Sequence, residues 1–345
     1  MPEGHTVHRL ARTFSELFAG EAVSVSSPQG RFAEGAARVS GLQLVRSQAY
    51  GKQMFLGFGQ AEATAEELLW LRVHLGLYGS WTFSGDSSVR VAHAIGAPRK
   101  RIGEQEKVLP IDIGAQEPAR GETSTDLRAT STDDAWNPPE PRGQVRVRIL
   151  GQHAVADLTG PTACEVISWF EVKVQIKKLG PDPIRSDSDS NLFVEKAGKK
   201  KVAIGQLLMD QSVIAGVGNI YRAEALFRAG LDPYKLGKNV PAETLREIWD
   251  DLVILMRAGV KTGAIVTTEP EDRDKGIDPV ALAGLHAAGR AITRQNTDGV
   301  PGTVPREESF YVYHRQGQPC RVCGTPISLA DMQARKLYWC AHCQN

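Results

Sequence analysis

Residues 207–227 read LLMDQSVIAGVGNIYRAEALF, and this stretch decides how the middle of the chain folds. Ile204, Leu207, Leu208 and Met209 bring apolar side chains together at helical spacing and predict a short helix. Gly216, Val217 and Gly218 then make a tight turn, Asn219 stands where it can cap a second helix through Phe227, and Gly230 closes that helix. Two helices joined by so short a turn form a helix-turn-helix pattern. The unpaired amides and dipole at the start of the second helix favour an anion such as phosphate, although taken singly the residues fit an ordinary cap as well.

Working outward from that stretch, Leu245, Ile248, Trp249, Leu252, Val253 and Met256 lie on one stripe of a longer amphipathic helix, with Gly259 just after it. On the N-terminal side, LGPDPI (Leu179–Ile184) reads as a rigid connector, because proline and glycine interrupt regular structure. Ahead of it the periodicity changes. Short apolar runs at Met54–Phe58, Leu68–Val73, Val145–Leu150 and His153–Leu158 are strands of an antiparallel β structure. Val7, Leu10, Phe14, Leu17 and Phe18 recur at helical spacing before Gly20, so the chain opens with a helix. Residues 84–142 mix charge with Pro, Gly, Ser and Thr and read as a flexible insertion, and Glu269–Arg306 as a second loop-rich connection.

The fold class that follows is multidomain α+β. Residues 1–165 are expected to form a β domain with an N-terminal helix, 166–305 a helical domain, and 306–345 a small terminal module. Lys and Arg total 41 against 40 Asp and Glu, so any surface for a polyanion must be local. No apolar window reaches membrane-helix length, and MPEGHTVHRL lacks the pattern of a secretory signal. A cytoplasmic protein without membrane contact is the expectation.

Cys320-Arg-Val-Cys323 and, after sixteen residues, Cys340-Ala-His-Cys343 have the spacing of two knuckles closing one tetrahedral thiolate site. One structural zinc is expected on Cys320, Cys323, Cys340 and Cys343, with His342 outside the ligand set. Arg321, Arg335, Lys336, Tyr338 and Trp339 share this module. They suit phosphate contacts beside apolar surface, and equally a solvated basic face with aromatics packed beneath it.

Taken together, MPEG at the start, YGK at Tyr50–Lys52, HLGLYG at His74–Gly79, LGPDPI, the 207–227 block and the terminal cysteines resemble the family of formamidopyrimidine-DNA glycosylase and endonuclease VIII. MPEGHTVHRLA and the Gly-Leu-Tyr loop are closer to the endonuclease VIII branch, in particular its actinobacterial members. Where the formamidopyrimidine branch carries a phosphate-binding lysine ahead of the LMD block, this sequence has Gly205.

The resemblance implies an N-terminal β-sandwich, a helix-two-turn-helix domain and a C-terminal zinc-finger hairpin. It implies Pro2, freed by loss of Met1, as nucleophile, Glu3 as its acid-base partner, and Lys52 as a holder of phosphate near the sugar. Asn219 and Arg335 would grip the DNA backbone, Leu77 and Tyr78 would fill the gap left by an extruded base, and Glu224 lies in the block associated with the cleft. The implied activity is base excision repair by a monomer acting on double-stranded DNA that contains oxidised bases, pyrimidines first, or abasic sites. A catalytically silent DNA-binding protein of the same fold is the alternative.

The residue types suit that chemistry. A secondary amine that attacks the sugar C1′ gives an iminium whose charge drives strand cleavage, and an α-amino group with a pKa of about 8 is partly neutral near pH 7. A base inside a duplex is out of reach until it is flipped, which gives the phosphate contacts and the gap-filling side chains a joint purpose.

Overall fold

The computed structural model describes residues 2–89, 94–96, 136–273 and 304–345. In chain order the first half contains α1 (Gly4–Phe18), β1 (Ser24–Ser26), α2 (Ala33–Val39), β2 (Gln43–Tyr50), β3 (Gln53–Gly59), β4 (Leu69–His74), β5 (Ser80–Gly85), β6 (Ala94–Gly96), β7 (Val145–Leu150), β8 (Ala154–Thr159) and β9 (Ala163–Ile167). These strands build two antiparallel sheets, ordered β1-β7-β8-β5-β6 and β2-β3-β4-β9.

Alternation along β3 shows how the sandwich is held. Met54, Leu56 and Phe58 join Val147, Ile149, Ala156 and Leu158 of the other sheet and Leu10, Phe14 and Phe18 of α1 in one core. Phe55, on the opposite face of the strand, packs with Trp70 and Val172. Val172 belongs to α3 (Trp169–Lys177), so a helix covers the outer face of the four-stranded sheet. The sequence reading overlooked α3, although Ser168 and Glu171 form a capping box at its start.

The insertion predicted over 84–142 needs correction at its first edge. β5 continues to Gly85, and Ala94–Gly96 pairs with Ser80–Thr82 as an edge strand. Residues 90–93 and 97–135 lie outside the described residues, as do 274–303 of the connection expected over Glu269–Arg306.

After α3 come α4 (Ser190–Gly198), α5 (Ile204–Leu207), α6 (Asn219–Arg228) and α7 (Ala242–Thr262). Leu207, Leu208, Val213, Ile214, Leu226, Leu245, Leu252 and Met256 form their common core. The terminal module is one hairpin, β10 (Ser328–Met332) and β11 (Arg335–Trp339), beside the four cysteines. Among the described residues no helix is long and apolar enough to cross a membrane.

α7 does not stop at Gly259 as expected. It runs to Thr262, and Gly263 ends it in the left-handed conformation at φ 79°. Gly259 is instead a contact residue: a Cβ there would lie 2.6 Å from Tyr221 Oη and 3.1 Å from His5 Cγ. The absent side chain lets α7 approach α1 and α6, where His5 and Tyr221 meet edge to face with ring centroids 5.5 Å apart. A glycine exposed in mid-helix gains about 1 kcal/mol on replacement by alanine. Gly259→Ala should instead lose about 1–3 kcal/mol through overpacking, and urea denaturation at neutral pH gives the sign directly.

Candidate active site and nucleic-acid interface

Three glycines bring the site together. Gly4 opens α1's first turn, Gly51 sits between β2 and β3, and Gly216 is in the turn before α6. A Cβ on Gly4 would lie 2.8 Å from Gly216 Cα, and one on Gly51 would lie 3.1 Å from Gly216 N. Backbone therefore packs on backbone, and the Gly4 amide donates to Gly216 O at 2.8 Å.

Glu3 follows from this junction. The structure corrects the role expected of Asn219, because the residue capping α6 is Gly218, which has no side chain to offer its amides. The Glu3 carboxylate takes that place from the far end of the chain. It accepts from Gly218 N–H at 2.9 Å, Ile220 N–H at 2.8 Å and Tyr221 N–H at 3.4 Å. A Cβ on Gly218 would overlap the Glu3 carboxyl carbon at 2.4 Å, so only glycine fits there. Burial raises the Glu3 pKa, opposed by the charge of Lys52 and by the Ile220 and Tyr221 amides. Upward is the direction a proton donor needs. Pro2, buried, adjoins this carboxylate in sequence.

Lys52 reaches the same turn, its Nζ donating to Val217 O at 2.6 Å. Burial pulls its pKa down to about 8, against the pull of Glu3 and with a further push from Arg335. The connector fixes this lysine's backbone: Gly51 N–H and His8 Nε2 both meet Asp182 Oδ2 at 2.7 Å. Asp182, the acid of LGPDPI, is thus an organising residue that the sequence reading took for part of a spacer.

Arg335 begins β11 just after the Gln333–Ala334 turn, paired through its backbone with Met332, and its side chain has no hydrogen-bond or ion-pair partner among the described residues. Its charge is felt at Lys52 and at Arg222. Asn219, in the first turn of α6, donates through Nδ2 to Lys336 O at 2.9 Å, while its Oδ1 accepts from the buried Arg222. The expected set of Pro2, Glu3, Lys52, Asn219 and Arg335 does converge, and Arg222, unforeseen, joins it. Three cations there face the single carboxylate of Glu3, an excess suited to an anion.

Leu77 and Tyr78 occupy the turn between β4 and β5, with Tyr78 55% exposed. His74, at the foot of that turn, meets Lys52 O through Nδ1 at 2.8 Å. Glu224 has a different role from the one its block suggests. It is fully buried and accepts from the amides of Tyr311, Val312 and Tyr313 at 2.7–2.9 Å and from Thr267 Oγ1 at 2.5 Å. Those bonds fasten α6 to the segment leading into the cysteine module.

The four cysteine Sγ atoms lie within 4.8 Å of one another, with Cys320–Cys343 at 3.9 Å and Cys323–Cys340 at 3.5 Å. Zinc-sulfur bonds of about 2.3 Å in a tetrahedron require edges of about 3.8 Å, so this thiolate set fits one ion.

Comparison with known proteins gives this geometry a context. The formamidopyrimidine-DNA glycosylase N-terminal domain matches residues 1–128, its H2TH domain 179–271, and the zinc finger found in FPG and IleRS 317–345. Endonuclease 8 1 of Mycobacterium tuberculosis is 38% identical over 344 residues, spanning 100% of both chains. The chain belongs to the formamidopyrimidine-DNA glycosylase and endonuclease VIII family. Formamidopyrimidine-DNA glycosylase of Cronobacter sakazakii is 35% identical over 167 residues, 48% of this chain and 52% of that one. The same fold occurs in the crystal structure of Lactococcus lactis Fpg with DNA containing N7-benzyl-Fapy-dG, at a TM-score of 0.64, 18% identity and 99% coverage of both chains.

As a member of this family the protein is a DNA glycosylase with AP-lyase activity, and its finger holds one structural zinc. The departure at Gly205 now has a physical reason. A Cβ there would lie 3.0 Å from both Met332 Sδ and Pro233 O, so the finger hairpin occupies the space a longer side chain would need.

Two outcomes are expected of this site. Cys340→Ser, which removes one corner of the tetrahedron, should lower bound zinc from one ion per chain and weaken DNA binding, read by metal analysis and a duplex binding assay. A phosphate beside Lys52 would restore the pKa that burial depresses, so binding takes up a proton at pH values above about 8. Affinity for a duplex with an abasic-site analogue should therefore fall as pH rises, by at most about tenfold per unit. Protein with a blocked N-terminus isolates this effect, and Lys52→Arg should flatten the profile.

Proposed function

We propose that this glycosylase excises oxidised bases, pyrimidines ahead of purines, from double-stranded DNA through a Schiff base at Pro2, and then cleaves the abasic site by β,δ-elimination. The observation that carries this reading is the insertion of the N-terminal Pro2–Glu3 segment into the interdomain junction, where its carboxylate caps α6 next to the Lys52 amine. The same burial that lets Glu3 cap the helix keeps Pro2 beside a carboxylate and the Lys52 amine, the surroundings a nucleophile with a proton-donating partner needs. The pyrimidine preference rests on likeness to the endonuclease VIII branch, to which the mycobacterial relatives belong by name.

In this mechanism the Pro2 amine, free once Met1 is removed, attacks C1′ while the Glu3 carboxyl protonates the opening sugar. Loss of the base leaves an iminium that acidifies C2′–H; the Glu3 carboxylate, having given up its proton, takes the C2′ proton as the C3′–O bond to the 3′ phosphate breaks, and loss of the C4′ proton to the same carboxylate or to water then breaks the C5′–O bond to the 5′ phosphate. Lys52 and Arg335 hold backbone phosphates through these steps, with Asn219 supplying a neutral donor. Leu77 and Tyr78 enter the space vacated by the flipped nucleotide. The proposed acting form is a monomer.

Borohydride trapping on abasic DNA tests the nucleophile. Protein with a free Pro2 should become covalently linked. An N-terminal extension that cannot be cleaved turns the amine into an amide, whose delocalised lone pair cannot attack, and should abolish trapping while sparing binding. Glu3→Gln should bind but release bases at least about 100-fold more slowly, the usual minimum for losing a positioned proton donor. A crosslink mapped to Lys52 would reassign the nucleophile, and absence of any crosslink in free-Pro2 protein would leave a silent DNA-binding protein.

A further inference from the structure

Arg222 is fully buried, yet only one of its guanidinium nitrogens is in use. Nη2 donates to Asn219 Oδ1 and, at 3.0 Å, to Lys336 O, while Nε and Nη1 meet no acceptor. Burying a guanidinium with two idle nitrogens is unfavourable, and an apolar side chain of similar length would fill the space without that cost. The bonds made by Nη2 are therefore the reason for a cation at this position.

Those bonds define an orientation. A carboxamide has an accepting end and a donating end, whereas a guanidinium can only donate. With Arg222 behind it, Asn219 must turn Oδ1 inward and Nδ2 outward, because the flipped amide would set donor against donor. Nδ2 carries two hydrogens and spends one on Lys336 O, leaving the other for an oxygen from outside. Lys336 directly follows Arg335, so the carbonyl held by both Asn219 and Arg222 also fixes where the Arg335 backbone lies.

We propose that Arg222 is a positioning residue: it locks the Asn219 amide and seats the zinc-finger hairpin, so that Asn219 Nδ2 and Arg335 address the same DNA phosphate. The inference rests on the reading of Asn219 and Arg335 as phosphate contacts. Arg222 itself stays behind them, out of reach of DNA, and acts on affinity rather than on the chemical step.

The test is a double-mutant cycle in the full-length zinc-loaded chain with Arg222→Met, Asn219→Ala and the pair. Binding to a duplex containing an abasic-site analogue is measured across a salt series, with single-turnover base release at saturating enzyme alongside. Arg222→Met should weaken binding about tenfold, the equivalent of one charge-assisted hydrogen bond. It should flatten the salt dependence, and its effect on affinity should exceed its effect on base release at saturating enzyme. In the Asn219→Ala background the same change should cost less than in the wild-type chain, since only the Lys336 carbonyl is left for Arg222 to hold. Arg222→Lys, which keeps the charge and can still donate, should recover most of the loss.

Zinc content and thermal melting verify the fold, and Arg222→Gln takes the place of the Met variant in the cycle if that protein does not retain zinc. Losses that multiply in the double mutant, or an unchanged salt slope, would overturn the positioning role. If Asn219→Ala and Arg335→Ala themselves leave affinity and salt slope unaltered, it is the underlying phosphate reading that fails.

Discussion

A carboxylate at residue 3 supplies the cap that residue 218 cannot. The first turn of any helix exposes amides without intrahelical partners, and burying them without acceptors is costly. The N-cap of α6 is a glycine inside the molecule, so the start of the helix depends on Glu3 arriving from the other domain. This single interaction registers the N-terminus against the helix-turn-helix and places Pro2 at the junction. It also limits the neighbouring sequence, since Gly4, Gly51, Gly216 and Gly218 must all lack side chains for the segments to meet.

Charge around that carboxylate is deliberately unbalanced in physical effect: Lys52 and Arg222 are buried beside it, and Arg335 adds a third positive group. Desolvation lowers the pKa of Lys52 and Arg222, and Glu3 is the carboxylate whose charge opposes that shift at both. In a site of low polarity such an excess is an electrostatic vacancy for phosphate. The protein's near-neutral overall charge says nothing of it, because the excess is made by three segments that are remote in sequence.

Zinc matters here through geometry. The finger hairpin carries Arg335 at its turn, and besides the apolar packing of Ala223 and Phe227 on this module, two hydrogen-bonded attachments hold it against α6. One is the contact of Lys336 O with Asn219 and Arg222, and the other is Glu224, which binds the amides of 311–313 leading into the cysteines. The metal keeps the knuckles closed, and the hairpin transmits that rigidity to a cation more than a hundred residues away from its partners.

By itself the sequence determined the elements with strong local signals. Short apolar runs marked β3, β4, β7 and β8, helical spacing marked α1 and α7, and paired cysteines marked the zinc site, because each pattern follows from local geometry. Motif resemblance carried Pro2, Glu3, Lys52, Asn219 and Arg335 as a group. Only the tertiary structure decided what depends on contact between remote segments: that Gly218 rather than Asn219 is the N-cap of α6, that Gly259 is a close approach and not a stop, that Glu224 fastens the finger, and that Asp182 and Arg222 serve the site. A glycine, a buried acid or a buried arginine has the same local appearance whether it ends a helix or receives a neighbour, and what distinguishes the two is the partner that folding brings beside it.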